Sequence, residues 1–404
     1  MRGFAARATV EQAISWLNSV LPSFAELPTE MVGLFDAATR VLAQDVVSGV
    51  NVPGFARSMM DGYGVRADDT QGATAYNRLP LRIIGTCLPG TPFPGRVSAG
   101  EAVRIMTGAP LPDGADAVLP VEQTEPDGDQ VSVLDPVTVG KHVGQIGEDI
   151  RQGDVVRSTG SVLRPQDLGV LSSIGVDRAT VVRRPRVRIL ITGNELLPAG
   201  TKPEGYRIAD ANGPMLSALV TRDGGEPIVP GIVPDDPVQL REALLEPADV
   251  VLVSGGSSVG QEDHAPRLVA ELGELAIHGI AMRPSSPTGL GRIGGKLVFL
   301  LPGNPVSCLC AYDFFAGRAI RALGGRLRDW PYPRIRVRLT RKLVSTVGRV
   351  DYARVQLRDE GVEPIAISGA SILSSTTRAD GFVIVPADSE GYPAGADVDV
   401  FLYG

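Results

Sequence analysis

RVRILITG, residues 186–193, and ADVVLVSGG, residues 248–256, are short apolar runs that do not alternate with polar residues and that end on glycine. A strand covered by helices on both faces has that composition, because neither face meets water. Between and beyond them the chain keeps a regular rhythm. ANGPMLSALVTRDGG (211–225) reads as a helix with a glycine stop, PIVPGIV (227–233) as a strand, and DPVQLREALLE (236–246) as a helix. HAPRLVAELG (264–273) predicts another helix, LAIHGIAM (275–282) a strand, and KLVFLLPGN (296–304) a last strand running into a long helix over 305–323. Strands and helices alternating in this way predict a parallel α/β sheet over 184–326.

Outward from that segment the texture changes on both sides. From Trp330 the period becomes two, in RIRVRLTRKL, YARVQLRD, PIAIS, GFVIVPA and DVDVFLYG, which predicts a small all-β domain, a barrel or sandwich, over 327–404. Toward the N-terminus, Thr9 and Gln12 form a capping-box pattern ahead of a helix over 9–22, with Val10, Ile14, Leu17 and Leu21 on one face. A second helical stretch is expected over 34–44. Residues 51–140 are rich in Gly and Pro and hold short segments such as LRIIGT, AVRIMTG and QVSVLDP, an irregular β insertion. Residues 1–50 and 141–183, the latter with a helix at 165–174, make a discontinuous N-terminal linker domain.

Composition narrows the function. The 404 residues are 43% hydrophobic and 21% charged, which excludes a disordered chain. A net charge of −7 argues against generic nucleic-acid binding, and 5% aromatic residues against base-stacking platforms. Lysines stand only at 141, 202, 296 and 342; the other basic residues are arginines. Three cysteines without zinc-site spacing predict a reducing compartment. With no apolar run of membrane-spanning length and no signal-peptide core, a cytoplasmic chain is expected.

Open parallel sheets bind ligands beyond the carboxyl ends of their strands. Here those ends read TGNEL (192–196), VPDD (233–236), SGGSSVGQED (254–263) and LPGNPVS (301–307). In the third, Ser254, Gly255, Gly256 and Ser257 suit a phosphate or another anion; a tight strand-to-helix turn without a ligand fits the same string. In the fourth, Pro302, Asn304 and Pro305 make a rigid turn with a proline at the helix start. Glu195, Asp235 and Asp263 would converge on one rim, where hard oxygen ligands suit Mg²⁺ and a solvated acidic rim is the alternative. In the first half, SMMDGYGV (58–65), VRIMTGAPLPDGADAVLPVEQ (103–123) and GEDIRQGD (147–154) stand out as sites or as turn chemistry. Cys308 and Cys310 fall on an apolar helix and read as core, and His264 beside Asp263 could touch the site.

Taken together, SMMDGYG, RIMTGAPLPDGADAVLPVE, GEDIRQGD, LITGNELL, ADANGPML, DDP, SGGSSVGQED and LPGNPVSC occur in an order and spacing that resemble the MoeA family, the molybdopterin molybdenumtransferases, over essentially the whole chain. The animal relative of that family is the E domain of gephyrin. The resemblance implies insertion of molybdate into adenylylated molybdopterin, with release of AMP, assisted by a divalent cation such as Mg²⁺. It implies a homodimer in which the β insertion of one subunit completes the cleft of the other, and a molybdopterin adenylyltransferase as pathway partner. By motif, Asp61 and Thr107 would reach across the dimer, while Glu195, Asp235 and Asp263 would line the cleft near the cation. Ser257 and the turn Ser254-Gly255-Gly256 would cradle the pterin phosphate; Pro302, Asn304 and Pro305 would shape the pocket. Asp149 belongs to the GEDIR string and Arg354 matches an arginine of the last domain.

The chain departs from the family pattern where cations are expected. The family commonly carries a Lys-Pro-Gly-Lys-Pro run; here Arg283 stands at the first lysine, Ser286 at the second, and Gly279 where a preceding lysine often falls. Arg292 would restore a cation. A frequent Gly-Ser-His string reads Gly369-Ala370-Ser371. These departures keep open a divergent paralogue that binds molybdopterin without inserting metal or that handles tungstate, and a dimeric interaction scaffold. The intact first-half motifs argue against an unrelated phosphate-ester enzyme sharing only the α/β segment.

Overall fold

A computed structural model describes residues 7–24, 26–256, 264–366 and 371–403. The chain divides into two compact units, described here each by itself. One comprises the chain up to Glu30, Thr39–Val41 and everything from Val181; the other comprises Met31–Ala38 and Leu42–Thr180.

The first unit is built on a sheet whose strands run, in spatial order, Glu226–Ile228, Arg186–Thr192, Val250–Ser254, Lys296–Leu301, Gly289–Ile293 and Glu274–His278, with Ile232–Val233 paired to the end of the second. Val250 stands opposite both Val187 and Leu297, and these central strands are parallel, as the sequence predicts. Alternate residues of each run enter different cores. Val187, Ile189, Ile191, Val250, Leu252, Leu297 and Phe299 pack on one face with Ala13 and Leu17 of the helix Val10–Val20. Leu190, Val251, Val253, Val298 and Leu300 pack on the other, against Leu240, Leu244, Leu268 and Val269. Each such side chain contributes about 1.5–3 kcal/mol by burial, so the positions that enter these two cores are apolar. The Thr9 hydroxyl accepts from the Gln12 amide at 3.1 Å and the Gln12 side chain accepts from the Thr9 amide at 2.8 Å, the expected capping box.

The wholly parallel reading needs correction at one edge. Gly289–Ile293 and Lys296–Leu301 form an antiparallel hairpin, and Glu274–His278 adds to it antiparallel. The hairpin turns through Gly294, at φ +56°, and Gly295; paired glycines supply the backbone such a two-residue turn demands. The strand expected over 227–233 is interrupted around Pro230, which has no amide hydrogen for a ladder. The one expected over 275–282 also ends early, and Met282–Arg283 pairs instead with Val350–Asp351.

That pairing carries the chain into the terminal β sheet, ordered Met282–Arg283, Val350–Arg358, Gly381–Val385, Asp397–Leu402, Arg334–Arg338, with Gly361–Ala366 on the second strand. The helix after Asn304 runs Pro305–Ala311, widens through a π turn at Tyr312–Ala316 and ends at Gly317–Leu323. The wide turn holds Asp313, wholly buried, against Arg222 at 3.1 Å and the Tyr332 hydroxyl at 3.0 Å. Neighbouring Asp223 accepts from Tyr312 at 3.0 Å and from Arg321 at 2.9 Å. Trp330 packs edge-on against Phe314, Phe382 and Phe401, joining the β domain to this helix in one core.

In the second unit, six strands are ordered Ala117–Pro120, Gly62–Val65, Glu101–Ile105, Leu79–Cys87, Gln130–Val133, Thr124–Asp127. Helix Pro165–Ser173 forms as expected. The helix expected over 34–44 does not: Leu34–Asp36 is a single 3₁₀ turn, and Thr39 at φ +65° takes the chain out of helical geometry.

Candidate functional site

Three of the turns named from sequence begin at the carboxyl ends of the central strands, and a fourth, 233–236, follows the short strand Ile232–Val233. Strand Arg186–Thr192 ends on a buried threonine and turns at Gly193 to Asn194 and Glu195. The Asn194 amide donates to Asp235 at 3.2 Å, and the Asp235 amide donates back to Asn194 Oδ1 at 3.4 Å, so these two turns are tied together. Asp236 is occupied as a helix cap, accepting from the amides of Val238 and Gln239 at 3.1 and 2.9 Å. Glu195 is exposed and its carboxylate lies over Gly193, where an added Cβ would fall 2.8 Å from Oε2.

The next strand ends at Ser254, 2% exposed, and Gly255. Gly255 has φ +104°, and a Cβ there would meet the Thr192 carbonyl at 2.2 Å; the backbone passes too closely for any other residue. Beyond Leu301 the chain makes the turn Pro302-Gly303-Asn304, with Pro302 buried, Asn304 exposed and Pro305 at the first helical position. Cys308 and Cys310 are core as expected, and burial pushes the Cys308 thiol up to about 12. Ser257 and Asp263, and with them Gly369 and Ala370, lie outside the described residues.

One residue of this rim was not singled out from sequence. Asn212 opens the helix Asn212–Arg222, its amide and that of Gly213 both donating to Asp210 at 2.9 Å. Its Nδ2 donates to Ser254 Oγ at 2.9 Å and to the Gly303 carbonyl at 2.7 Å, bracketing the ends of two strands. A carbonyl only accepts, so the amide orientation is fixed and Oδ1 faces the other way. Asn212 is 7% exposed, and among the described residues its Oδ1 and the Thr192 hydroxyl have no partner. Leaving such a group unpaired costs about 1–3 kcal/mol. An asparagine at a helix start reads in sequence as a cap, so its string gave no sign of this role.

The segment that departs from lysine is engaged within the unit. Arg283 Nη2 donates to Asp351 at 2.6 Å; Asp351 is wholly buried and also receives Arg349 at 3.1 Å and the Ser345 hydroxyl at 2.8 Å. Ser285 holds φ +94° and donates to the Ser307 carbonyl at 2.5 Å, while the buried hydroxyl of Ser286 has no partner among the described residues. Gly279 donates to the Thr288 carbonyl at 3.0 Å, and Arg292 pairs with Glu274 at 2.7 Å. Arg354 is wholly buried on strand Val350–Arg358, level with Phe382.

The remaining candidates belong to the other unit. Both the amide and the hydroxyl of Thr107 donate to Asp61 Oδ1, each at 2.8 Å, and the backbone bond above all holds that exposed carboxyl below its usual range. Gly62 follows because a Cβ there would lie 2.0 Å from the Leu119 carbonyl. Asp149 is exposed, its amide donating to Val52 at 3.1 Å. Among the described residues no group of three His, Cys, Asp or Glu side chains is placed to hold a metal ion.

Comparison with known proteins covers the same ground from end to end. Residues 8–175 match the MoeA N-terminal region (domains I and II), and residues 336–403 the MoeA C-terminal region (domain IV). A molybdopterin molybdenumtransferase of Staphylococcus aureus strain COL is 32% identical over 394 residues, 96% of this chain and 94% of that protein. The chain belongs to the MoeA family. Residues 188–322 match the segment described as "Probable molybdopterin binding domain", which in this MoeA chain is the sheet and rim above. The molybdopterin molybdenumtransferase of Haemophilus influenzae is 31% identical over 401 residues, covering 97% of this chain and 98% of its own. The crystal structure of a MoeA molybdopterin biosynthesis protein from Pyrococcus horikoshii superposes with a TM-score of 0.82 at 33% identity, over 99% of this chain and all of that one.

Proposed function

We propose that this chain is a transferase of molybdenum cofactor biosynthesis that inserts molybdate into adenylylated molybdopterin and releases AMP. Kinship to named molybdopterin molybdenumtransferases over nearly the full length carries the reading. The rim supports it: Ser254 and Gly255 present close backbone for a phosphate, and Glu195 and Asp235 stand on the neighbouring turns. Ser257, Pro302, Asn304, Pro305, Asp149, Ser286 and Arg354 are retained as substrate-binding candidates, with Asp263 and Arg283 at the reacting groups.

Two carboxylates on adjacent turns are a donor set that fits Mg²⁺, which takes one or two carboxylates and completes its shell with water and phosphate oxygens. Glu195 and Asp235, with Asp263, would hold it; when bound it draws negative charge from the phosphoanhydride. Glycine backbone at the turn orients the phosphate, and the buried floor excludes water around it. Asp61 and Thr107 act from the second subunit of a homodimer, so that each cleft is shared. The four-domain division, at 1–50 with 141–183, 51–140, 184–326 and 327–404, the cytoplasmic setting and supply of substrate by an adenylyltransferase belong to the same proposal.

The engagement of Arg283 by Asp351 favours one alternative, a chain that binds molybdopterin without metal insertion, because that arginine is partly neutralised. AMP release from adenylylated molybdopterin with Mg²⁺, with and without molybdate and separately with tungstate, separates the two. Molybdate-dependent release that Asp263→Ala abolishes is the expected result. Tight binding with no release under either oxyanion overturns the transferase reading.

A further inference from the structure

We infer that Asn212 reads the ligand's nitrogen heterocycle: its Oδ1 accepts a hydrogen bond from a ring or amino N–H, with the Thr192 hydroxyl as a second contact. The inference rests on the rim being the molybdopterin site. Both groups flank the step from Ser254 to Gly255. Asn212 reaches it through Ser254 Oγ at 2.9 Å, and Thr192 Oγ1 would lie 2.7 Å from a Cβ on Gly255. Both are buried polar atoms without a partner among the described residues.

The polarity of Asn212 Oδ1 selects the ligand group. The Gly303 carbonyl fixes the Asn212 amide, so Oδ1 offers lone pairs and no proton. A phosphate oxygen offers lone pairs as well and is repelled there, which leaves the phosphate to the glycine backbone. A planar heterocycle bearing N–H groups supplies the missing donor. Gly303 and Gly255 keep the adjoining surface free of side chains, since a Cβ on Gly303 would come no nearer than 3.7 Å to the Gly255 Cα. Adenylylated molybdopterin contains two such heterocycles, a pterin and an adenine, and the shared chemistry is the N–H edge.

Equilibrium binding to the full-length chain tests this with three probes: molybdopterin, AMP and pyrophosphate. Asn212→Ala is expected to weaken one heterocyclic probe by about ten-fold, leaving pyrophosphate within two-fold. Loss on molybdopterin assigns the pterin edge; loss on AMP assigns the adenine edge. An equal loss on all three probes overturns the inference and makes Asn212 only a bracket between strand ends. Unchanged binding of all three overturns it too. Thr192→Val, which removes a hydroxyl without a partner among the described residues, should show the same selectivity at about three-fold and serves if Asn212→Ala does not fold. If the unaltered chain binds neither molybdopterin nor AMP, the functional reading fails and the inference falls with it.

Discussion

Arg283 and Asp351 stand 2.6 Å apart, and through them the loop that leaves the α/β sheet is pinned to the terminal β sheet. Asp351 is wholly buried, whereas the Arg283 side chain is one-third exposed, so water screens only one end of the pair. Removing the arginine leaves the carboxylate with Arg349 and the Ser345 hydroxyl. Arg283→Ala should therefore lower stability by about 1–2 kcal/mol, less than a fully buried pair would lose. Arg283→Lys should recover part of it, since an ammonium keeps the charge without the planar fork. Urea midpoints of the three proteins decide; equal midpoints would show that the pair is idle.

Burial raises the Asp313 carboxyl to about 6, even though Arg222 opposes the shift. Above that pH the folded chain carries a desolvated charge that the unfolded chain hydrates freely. A raised acid favours folding in its protonated form, so this contribution grows as pH falls from about 6 toward 4 and is lost as pH rises through 6. Asp313→Asn should abolish that slope. Comparing urea midpoints at pH 5 and 7.5, the unaltered chain should gain on the variant in acid; parallel pH profiles would refute the assignment.

Gly255→Ala and Gly294→Ala both place a side chain at positive φ, but only the first meets backbone. The strain common to both is about 1–2 kcal/mol. Gly255→Ala should lose at least about 1 kcal/mol more, because the Thr192 carbonyl must move, and should also weaken molybdopterin binding. Matching thermal shifts in the two variants would mean that the turn yields without strain.

The proposed sharing of a cleft between two subunits predicts complementation. Asp61→Ala and Glu195→Ala should each be inactive as homodimers. Co-expressed, they form mixed dimers in which one cleft retains both residues, so roughly a quarter of the activity returns when pairing is random. Persistent inactivity of the purified mixed dimer would place both residues in a single-chain site.

The parallel core was legible because both faces of RVRILITG and ADVVLVSGG are buried, leaving an apolar run that a one-sided strand would not show. The hairpin strand Gly289–Ile293 was not, since Gly289 and Gly291 dilute its signal: added Cβ atoms there would meet Leu300 and the Glu274 carbonyl. Residues 34–44 carry helix-forming composition that Thr39 overrides locally. The carboxylates and glycines of the rim could be named by type and position at strand ends. Asn212 could not, because its partners, Ser254 and Gly303, are 42 and 91 residues away.

The glycine pair at 294–295 has a practical use. Both residues are exposed, a Cβ on either meets nothing within 4 Å, and they join the antiparallel strands Gly289–Ile293 and Lys296–Leu301. The turn lies beside Lys296, at the amino end of a central strand, whereas the rim lies past Leu301 at its other end. A short peptide tag or fluorophore grafted between Gly294 and Gly295 would sit at the opposite end of that strand from the rim, giving a handle for immobilising the protein with the rim open to solution.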